Sequence, residues 1–411
     1  MDIARRLPFE TAPFMQNGRM PAPVASVVRA GERAFITVGS ALRHDGTVVG
    51  LGDPGAQADA AMDAIAAALA EVGGSLADVT RLTTCLVDRA HRKPVYEAIG
   101  RRLQGVFPVS TGLILGGLML PELLVQIDAE AVIDVPVDRL RKVGLQTWFS
   151  QGIAWQGAMV AATPHEIFVR GQTGASLDGS VMTGPGRTAE DAAAQAEMAL
   201  TNLATLLGEA GSSMRDVAKI TVYISDRGYR NAVYPVIGKH FRGVHPVSTG
   251  LIVPAFARPE ILFEIDAHVF RGDGTPHRRV RPYHSSAVRY GFQQQSLDCD
   301  FCMAVRAGNH VVLRGQTGTD LNEVMHGAGD AAAQAEQAME NVGILLGEAG
   351  GRLTDVTKAT VFVTDRAFLA PVTEVVMRNL KGVTPAFSAM VVKGLASPEL
   401  LMEVDISAVV A

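Results

Sequence analysis

Glu264 and Asp266, and again Glu403 and Asp405, stand two residues apart in runs that alternate apolar and polar residues. Side-chain direction in a strand has period two, so each pair points to one sheet face. Two carboxyls that close can hold one proton between them, orient a water and donate a proton to a leaving amine. The alternative is that these acids hydrogen-bond backbone groups or basic residues in a core. Arg170 and Arg314 each end a strand-like run just before a glycine. A guanidinium there could reach a bound carboxylate, while a sheet edge or an ion pair is the plainer role. Ser248 and Thr249 offer hydroxyls, with His245 three residues before Ser248. Phe107 and Thr384 take the histidine's place elsewhere, so no recurrent Ser–His arrangement exists and hydrogen bonding to a ligand is the natural role.

The elements that position these residues recur three times. Asp78-Val79, Asp216-Val217 and Asp355-Val356 are separated by 138 and then 139 positions, and Asp88-Arg89, Asp226-Arg227 and Asp365-Arg366 keep the same spacing. So do Pro108, Pro246 and Pro385, and Pro121-Glu122, Pro259-Glu260 and Pro398-Glu399. A spacing of this length marks a triplicated domain and not a short solenoid repeat. The boundaries fall at 1–138, 139–277 and 278–411.

Within each copy a hairpin leads into Phe35 to Gly39, Ile167 to Gly171 or Val311 to Gly315. A long Ala- and Leu-rich helix follows (Gln57 to Val72, Asp191 to Ala210, Asp330 to Ala349), closed by Gly73, Gly211 or Gly350 as a C-cap. Then come a β-rich run, a shorter helix through Tyr96, Tyr234 or Thr373, and a closing alternating strand. The order ββαβαββ is an α+β domain with both helices on one sheet face. The other face needs a cover, which gives three copies a reason to pack their sheets around a common axis, as a single-chain pseudo-trimer with a central β-barrel-like core.

The chain has 411 residues, is 48% hydrophobic and carries a formal net charge of −5. That balance repels a phosphate backbone, so no nucleic-acid partner is expected. His277-Arg278-Arg279-Val280-Arg281 is the densest positive stretch, and its position suggests a solvated linker. Cys85, Cys299 and Cys302 are too few for a disulfide framework and fit a reducing, cytoplasmic setting. Cys299 and Cys302 could form half a zinc site, but no second ligand pair accompanies them, so neither metal nor cofactor is expected. Arg5 and Arg6 precede Pro8, Glu10 and Pro13 instead of an apolar core, which argues against a signal peptide, and no apolar run suggests a membrane partner. Trp148, Phe149 and Trp155, with Tyr283, Tyr290 and Phe292, either cover a cleft or pack a joint between copies.

Several of these motifs together resemble the Rid (reactive intermediate deaminase, YjgF-like) family. They are Gly171-Gln172 and Gly315-Gln316 at strand ends, Gln195 or Gln334 in the helix, Asp-Val-x-Lys entering a Thr-Val-Tyr or Thr-Val-Phe strand, and the terminal strands with Glu264 and Glu403. The resemblance implies small-ligand clefts between neighbouring copies and hydrolysis of reactive enamines or imines. It also implies an arginine in a Pro-Ala-Arg-Ser run that grips the substrate carboxylate. Here Ser110, Ser248 and Phe387 stand in that place, and neither a hydroxyl nor a phenyl ring replaces a guanidinium fork. Copy two keeps Asn231, Tyr234 and Glu264; copy three keeps Glu403 but has Ala370 and Thr373. Copy one, with Ser40, Lys93 and Gln126, is the most degenerate. The expected catalytic residues are thus Glu264 and Glu403. The expected substrate contacts are Arg170, Gly171, Gln172, Asn231, Tyr234, Ser248, Thr249, Arg314, Gly315 and Gln316. Arg89, Arg227 and Arg366, common to all copies, are expected in structural turns. The leading expectation is C–N hydrolysis of a small-molecule substrate by a monomer or dimer. The alternative is a non-catalytic small-molecule or partner-binding protein; RNA cleavage, sometimes assigned to the family, is disfavoured by the acidic charge.

Overall fold

A computed structural model of the chain describes residues 4–9, 24–43, 45–143, 152–153, 155–272, 276–285 and 297–410. One element order recurs in each third of the chain. The long helices are α1 (Pro54–Glu71), α3 (Ala189–Glu209) and α5 (Ala331–Glu348), and the short ones are α2 (Arg92–Arg102), α4 (Arg230–His240) and α6 (Leu369–Asn379). Asp53, Thr188 and Asp330 cap the long helices by accepting backbone N–H bonds. Gly73, Gly211 and Gly350 follow them at φ +81°, +71° and +81°, a conformation that only glycine adopts without strain. On α3 the buried residues Ala192, Ala196, Ala199, Leu203 and Leu207 form the apolar stripe that lies on the sheet.

Each sheet is built the same way. The strands Val79–Leu86, Val217–Ile224 and Val356–Val363 run parallel to Val109–Ile114, Val247–Ile252 and Ala386–Val391. The short helix makes the crossover that a parallel pair requires. On their other side the same strands pair antiparallel with Val125–Val132, Phe263–Phe270 and Met402–Val409. A register shift opens each of these pairings, and the residue just after it is a cation: Arg81, Lys219 or Lys358. Bulges re-aim side chains. Here the shift precedes the cations, which share the helix-free face with Thr83, Thr221 and Thr360 by the strand's ordinary alternation.

That face is shared between thirds. Arg81 lies 3.2 Å from Asp266, Lys219 pairs with Asp405, and Lys358 lies 3.3 Å from Asp128, so each cation meets the aspartate of another third. Thr111, Thr249 and Ser388 donate to the same three aspartates. Around these pairs, Cys85, Leu113, Tyr223, Leu251, Phe362 and Met390, drawn from all three thirds, form one apolar cluster. The sheet edges join as well: Ala158 N–H donates to the Pro108 carbonyl at 3.1 Å, Cys302 N–H to Pro246 at 3.3 Å, and Ala25 N–H to Pro385 at 2.9 Å. The residue before each proline, Phe107, His245 or Thr384, is held at φ +53° to +56°. This is an unfavourable region for a side-chain-bearing residue, retained at all three joints.

Several expectations change at this level. The basic stretch after His277 is not a solvated linker. Arg278–Val280 is a strand paired with Ala304–Ala307, Arg279 donates to the carbonyls of Arg215, Val217 and His245, and Arg281 makes a two-pronged pair with Glu348. Guanidinium forks satisfy carbonyls that the joint would otherwise bury, a role that charge clustering alone does not reveal. Arg89 and Arg227 do more than close their turns: each crosses to another third and donates to a carbonyl, Phe256 at 2.9 Å and Leu395 at 3.0 Å. Gln57, Gln195 and Gln334 bridge backbone groups of two loops in every third, including the carbonyls of Glu122, Glu260 and Glu399.

The three cysteines are buried and free. Burial pushes the Cys299 and Cys302 thiols up to about 12, and each lies within hydrogen-bond reach of different carbonyls, Tyr234 and His245 respectively. No group of three or more potential metal ligands occurs among the described residues, and no helix among them is long and apolar enough to cross a membrane. Trp148, Phe149, Tyr290 and Phe292 lie outside the described residues.

Candidate active site

Two clefts open where one third meets the next, each enclosing roughly 700–800 Å³ of space that is partly open to solvent. The first lies between Arg92, Tyr96, Ser110 and Gly112 of the first third and Trp155, Arg170, Gly171, Gln172 and Glu264 of the second. Its counterpart lies between Arg230, Tyr234, Ser248 and Gly250 of the second third and Tyr283, Phe301, Arg314, Gly315 and Glu403 of the last. Arg92 and Arg230, Tyr96 and Tyr234, Ser110 and Ser248, Arg170 and Arg314, and Glu264 and Glu403 occupy matching positions, whereas the aromatic walls, Trp155 in one and Tyr283 with Phe301 in the other, do not.

Each cleft centres on a buried glutamate. Glu264 and Glu403 are both 5% exposed. Burial, reinforced by the neighbouring Asp266 and opposed by Arg170 and Arg92, holds the Glu264 carboxyl well above the usual carboxylate range. Burial likewise pushes Glu403 up to about 7 against the pull of Arg314, with Asp405 raising it and Lys219 and Arg230 lowering it further. A carboxyl kept protonated near neutral pH beside guanidinium groups can act as a proton donor. The aspartates do not join the glutamates as proton-sharing partners facing a ligand. Asp266 is engaged by Arg81 and Thr111, and Asp405 by Lys219 and Thr249. The two readings of the carboxyl pairs therefore divide between the members: the glutamates face the clefts and the aspartates hold the thirds together.

Gly171 and Gly315 are needed for close approach. A Cβ on Gly171 would collide with the Glu264 carboxyl, and one on Gly315 with that of Glu403. Gly171→Ala and Gly315→Ala are each expected to displace the acid and to cost about 1–3 kcal/mol of stability, as overpacking does. Chemical denaturation checks the cost, and a wild-type melting curve would mean that the acid is not held against this backbone. Gln172 and Gln316 each donate to a carbonyl two residues back, Arg170 and Arg314, at 2.7 Å. They fix the strand end that carries the arginine.

Other expected contacts are placed differently. Asn231 is exposed on the first turn of α4, and the residue that reaches the cleft is Arg230, one position earlier. Thr249 turns to Asp405 in the core, whereas its neighbour Ser248 lines the cleft, because successive strand residues alternate faces. Tyr234 lines the second cleft and accepts from Arg230 Nη1 at 3.1 Å. His245 lies 3.0 Å from the Phe301 carbonyl through Nδ1, a joint contact and not a serine-activating one. Trp155 serves both roles weighed for it: it packs on the core of the first third and walls the first cleft.

Arg92 and Arg230 are the residues that reading copy by copy misses. They occupy matching positions in the first two thirds, where the last has Leu369, just as Arg170 and Arg314 match Val38 of the first third. Read by cleft, the pattern is regular. The first-to-second joint has Arg92 with Arg170 and Glu264, the second-to-third has Arg230 with Arg314 and Glu403, and the third-to-first has Leu369 with Val38 and Gln126. At that last joint Gln126 donates to the Thr37 carbonyl, and Phe387, buried, takes the serine's place. The arginines and the acid are thus retained or lost together as a set.

The profile of the family described as Endoribonuclease L-PSP matches residues 155–270 and 296–410, together more than half of the chain. Protein DfrA of Myxococcus xanthus is 36% identical over 91 residues, covering 22% of this chain and 70% of that protein. The 3-aminoacrylate deaminase RutC of Acinetobacter baylyi is 34% identical over 101 residues, covering 25% of this chain and 79% of that protein. A chorismatase crystal structure covers 81% of this chain and 93% of its own with a TM-score of 0.53 at 16% identity, which is a likeness of fold alone.

Proposed function

The chain belongs to the endoribonuclease L-PSP (Rid) family, and on that premise we propose that it hydrolyses a small enamine, imine or related C–N compound in its two arginine-bearing clefts. The observation that carries this reading is the buried glutamate, its carboxyl raised above the usual carboxylate range by burial, beside guanidinium groups from two thirds of the chain. The arginines take over the carboxylate grip from the position now held by Ser110 or Ser248. The glutamic acid protonates an enamine at its β-carbon, or an imine at nitrogen, giving the iminium form in either case. Its carboxylate then accepts a proton from the water that attacks the iminium carbon. The resulting carbinolamine collapses to a carbonyl and ammonia. The deaminase name of the Acinetobacter relative agrees with this reaction class.

Ammonia release from imines and enamines generated in situ, with acidic and uncharged members, tests the reading. Release by the intact protein and its loss in Glu264→Gln/Glu403→Gln is expected. No release from any substrate would favour the non-catalytic binding protein instead.

The same proposal takes the three thirds, 1–138, 139–277 and 278–411, as Rid-like domains closed into a pseudo-trimer around a barrel-like core. Three matching edge contacts and three cation–aspartate pairs, each linking a different pair of thirds, support it. Because a fused ring needs no further copies, light scattering is expected to give the mass of one chain, 43.5 kDa, or of a dimer. A trimer of chains would overturn it.

A further inference from the structure

The two clefts share a feature that a single-carboxylate substrate does not require. Each gathers two guanidinium groups, from different thirds, and seats each one on an aromatic ring; a third arginine at the first cleft, Arg258, is paired with Glu260 instead. In the first cleft the Arg92 guanidinium lies 5.5 Å from the Tyr96 ring centre and that of Arg170 lies 5.6 Å from Trp155. The two rings meet edge to face with centroids 5.9 Å apart, forming a corner. In the second cleft Arg230 lies 4.3 Å from Tyr234 and Arg314 lies 5.9 Å from Tyr283, with Phe301 between the two tyrosines at 6.4 and 6.2 Å. Cation–π seating fixes each fork in place ahead of any ligand. Burial, with a smaller contribution from the repulsion between Arg170 and Arg92, lowers the Arg170 pKa to about 10. Anionic charge brought between them relieves that repulsion.

A second observation points to a ligand in the first cleft. The Ser110 hydroxyl is buried, lines the cleft and makes no hydrogen bond among the described residues. A buried hydroxyl without a partner is costly unless something fills the place.

We propose that each cleft holds one small planar dicarboxylate, one carboxylate on each guanidinium and the skeleton against the aromatic corner, so that the chain binds two such ligands. The joint of Leu369 and Val38 binds none. This deepens the proposed hydrolysis by naming its substrate class, but binding stands or falls separately from turnover.

Calorimetric titration of the full chain with isophthalate and fumarate, against benzoate, crotonate and inorganic phosphate, tests it. The expected result is two diacids per chain, each bound about tenfold or more tighter than its monoacid, since a second charge-assisted pair is made. Arg92→Leu and Arg314→Val introduce the residues that the chain already tolerates at the third joint, so both are expected to fold, each leaving one site; together they leave none. Monoacids or phosphate binding as tightly as the diacids would overturn the inference, as would three equivalent sites or full stoichiometry in the double variant. Diacid binding without ammonia release would sink only the hydrolysis. Turnover of monoacid imines with no diacid preference would sink only the inference.

Discussion

Replacing both Glu264 and Glu403 by glutamine is expected to slow C–N hydrolysis by about 10²- to 10⁴-fold, the usual contribution of a positioned acid–base group. Folding should survive, because Gln126 already occupies the matching place in the first third. The single variants read the pH dependence of each cleft by itself. A proton donor works in its protonated form, so each cleft loses rate as pH rises through the pKa of its own glutamate. With Glu264→Gln only Glu403 remains, pushed up to about 7, and the rate should fall on passing from pH 6 to pH 8. With Glu403→Gln only Glu264 remains, its carboxyl held well above the usual carboxylate range by burial and by Asp266, and the rate should again fall as pH rises above that range. Wild type should lose rate in the same direction. Initial rates of ammonia release across this range decide it: rates unchanged in both single variants and the double would remove the glutamates from the chemistry.

Much of this architecture is legible in the sequence because it is periodic at two scales. The repeat spacing sets the three thirds, and the period of two in the closing strands places Glu264 and Asp266 on one face. What that periodicity cannot say is how far along the face the environment changes. Two residues separate a cleft-facing acid from one engaged by Arg81, and only the packing of another third draws that line. The missed arginines have the same origin. Arg92 is exceptional within its own copy, whose other site positions have decayed, and it becomes intelligible only when paired with Arg170 across the joint. Comparing the copies by joint instead of by copy would have exposed the set. The edge strand Arg278–Val280 was hidden for a different reason: arginines that donate to carbonyls are indistinguishable in sequence from arginines in water.

Asp266→Ala is expected to be among the most destabilising single changes in the chain, at about 3–5 kcal/mol, because it strips a buried cation of its nearest counter-charge, leaving only the more distant Glu130 and Glu166. Arg81 and Asp266 have side chains only 4% and 5% exposed, and Asp266 also accepts from Thr111 and lies 3.3 Å from the Tyr223 hydroxyl. Removing the carboxylate leaves a buried guanidinium and two hydroxyls without their shared acceptor. Replacing both charged partners, Arg81→Met with Asp266→Leu, should recover most of the loss, since a buried pair often contributes little net stability over a well-packed apolar one. Urea denaturation distinguishes the cases: a single variant within about 1 kcal/mol of wild type, or a double as damaged as the single, would mean that the pair is not what holds this joint. The change also reaches the cleft. Asp266 raises the pKa of Glu264 through its negative charge, so the Arg81→Met/Asp266→Leu protein, if folded, should show the alkaline limb that belongs to Glu264 moved toward lower pH. The aspartate that ties two thirds together is therefore also a tuning charge for the acid between them.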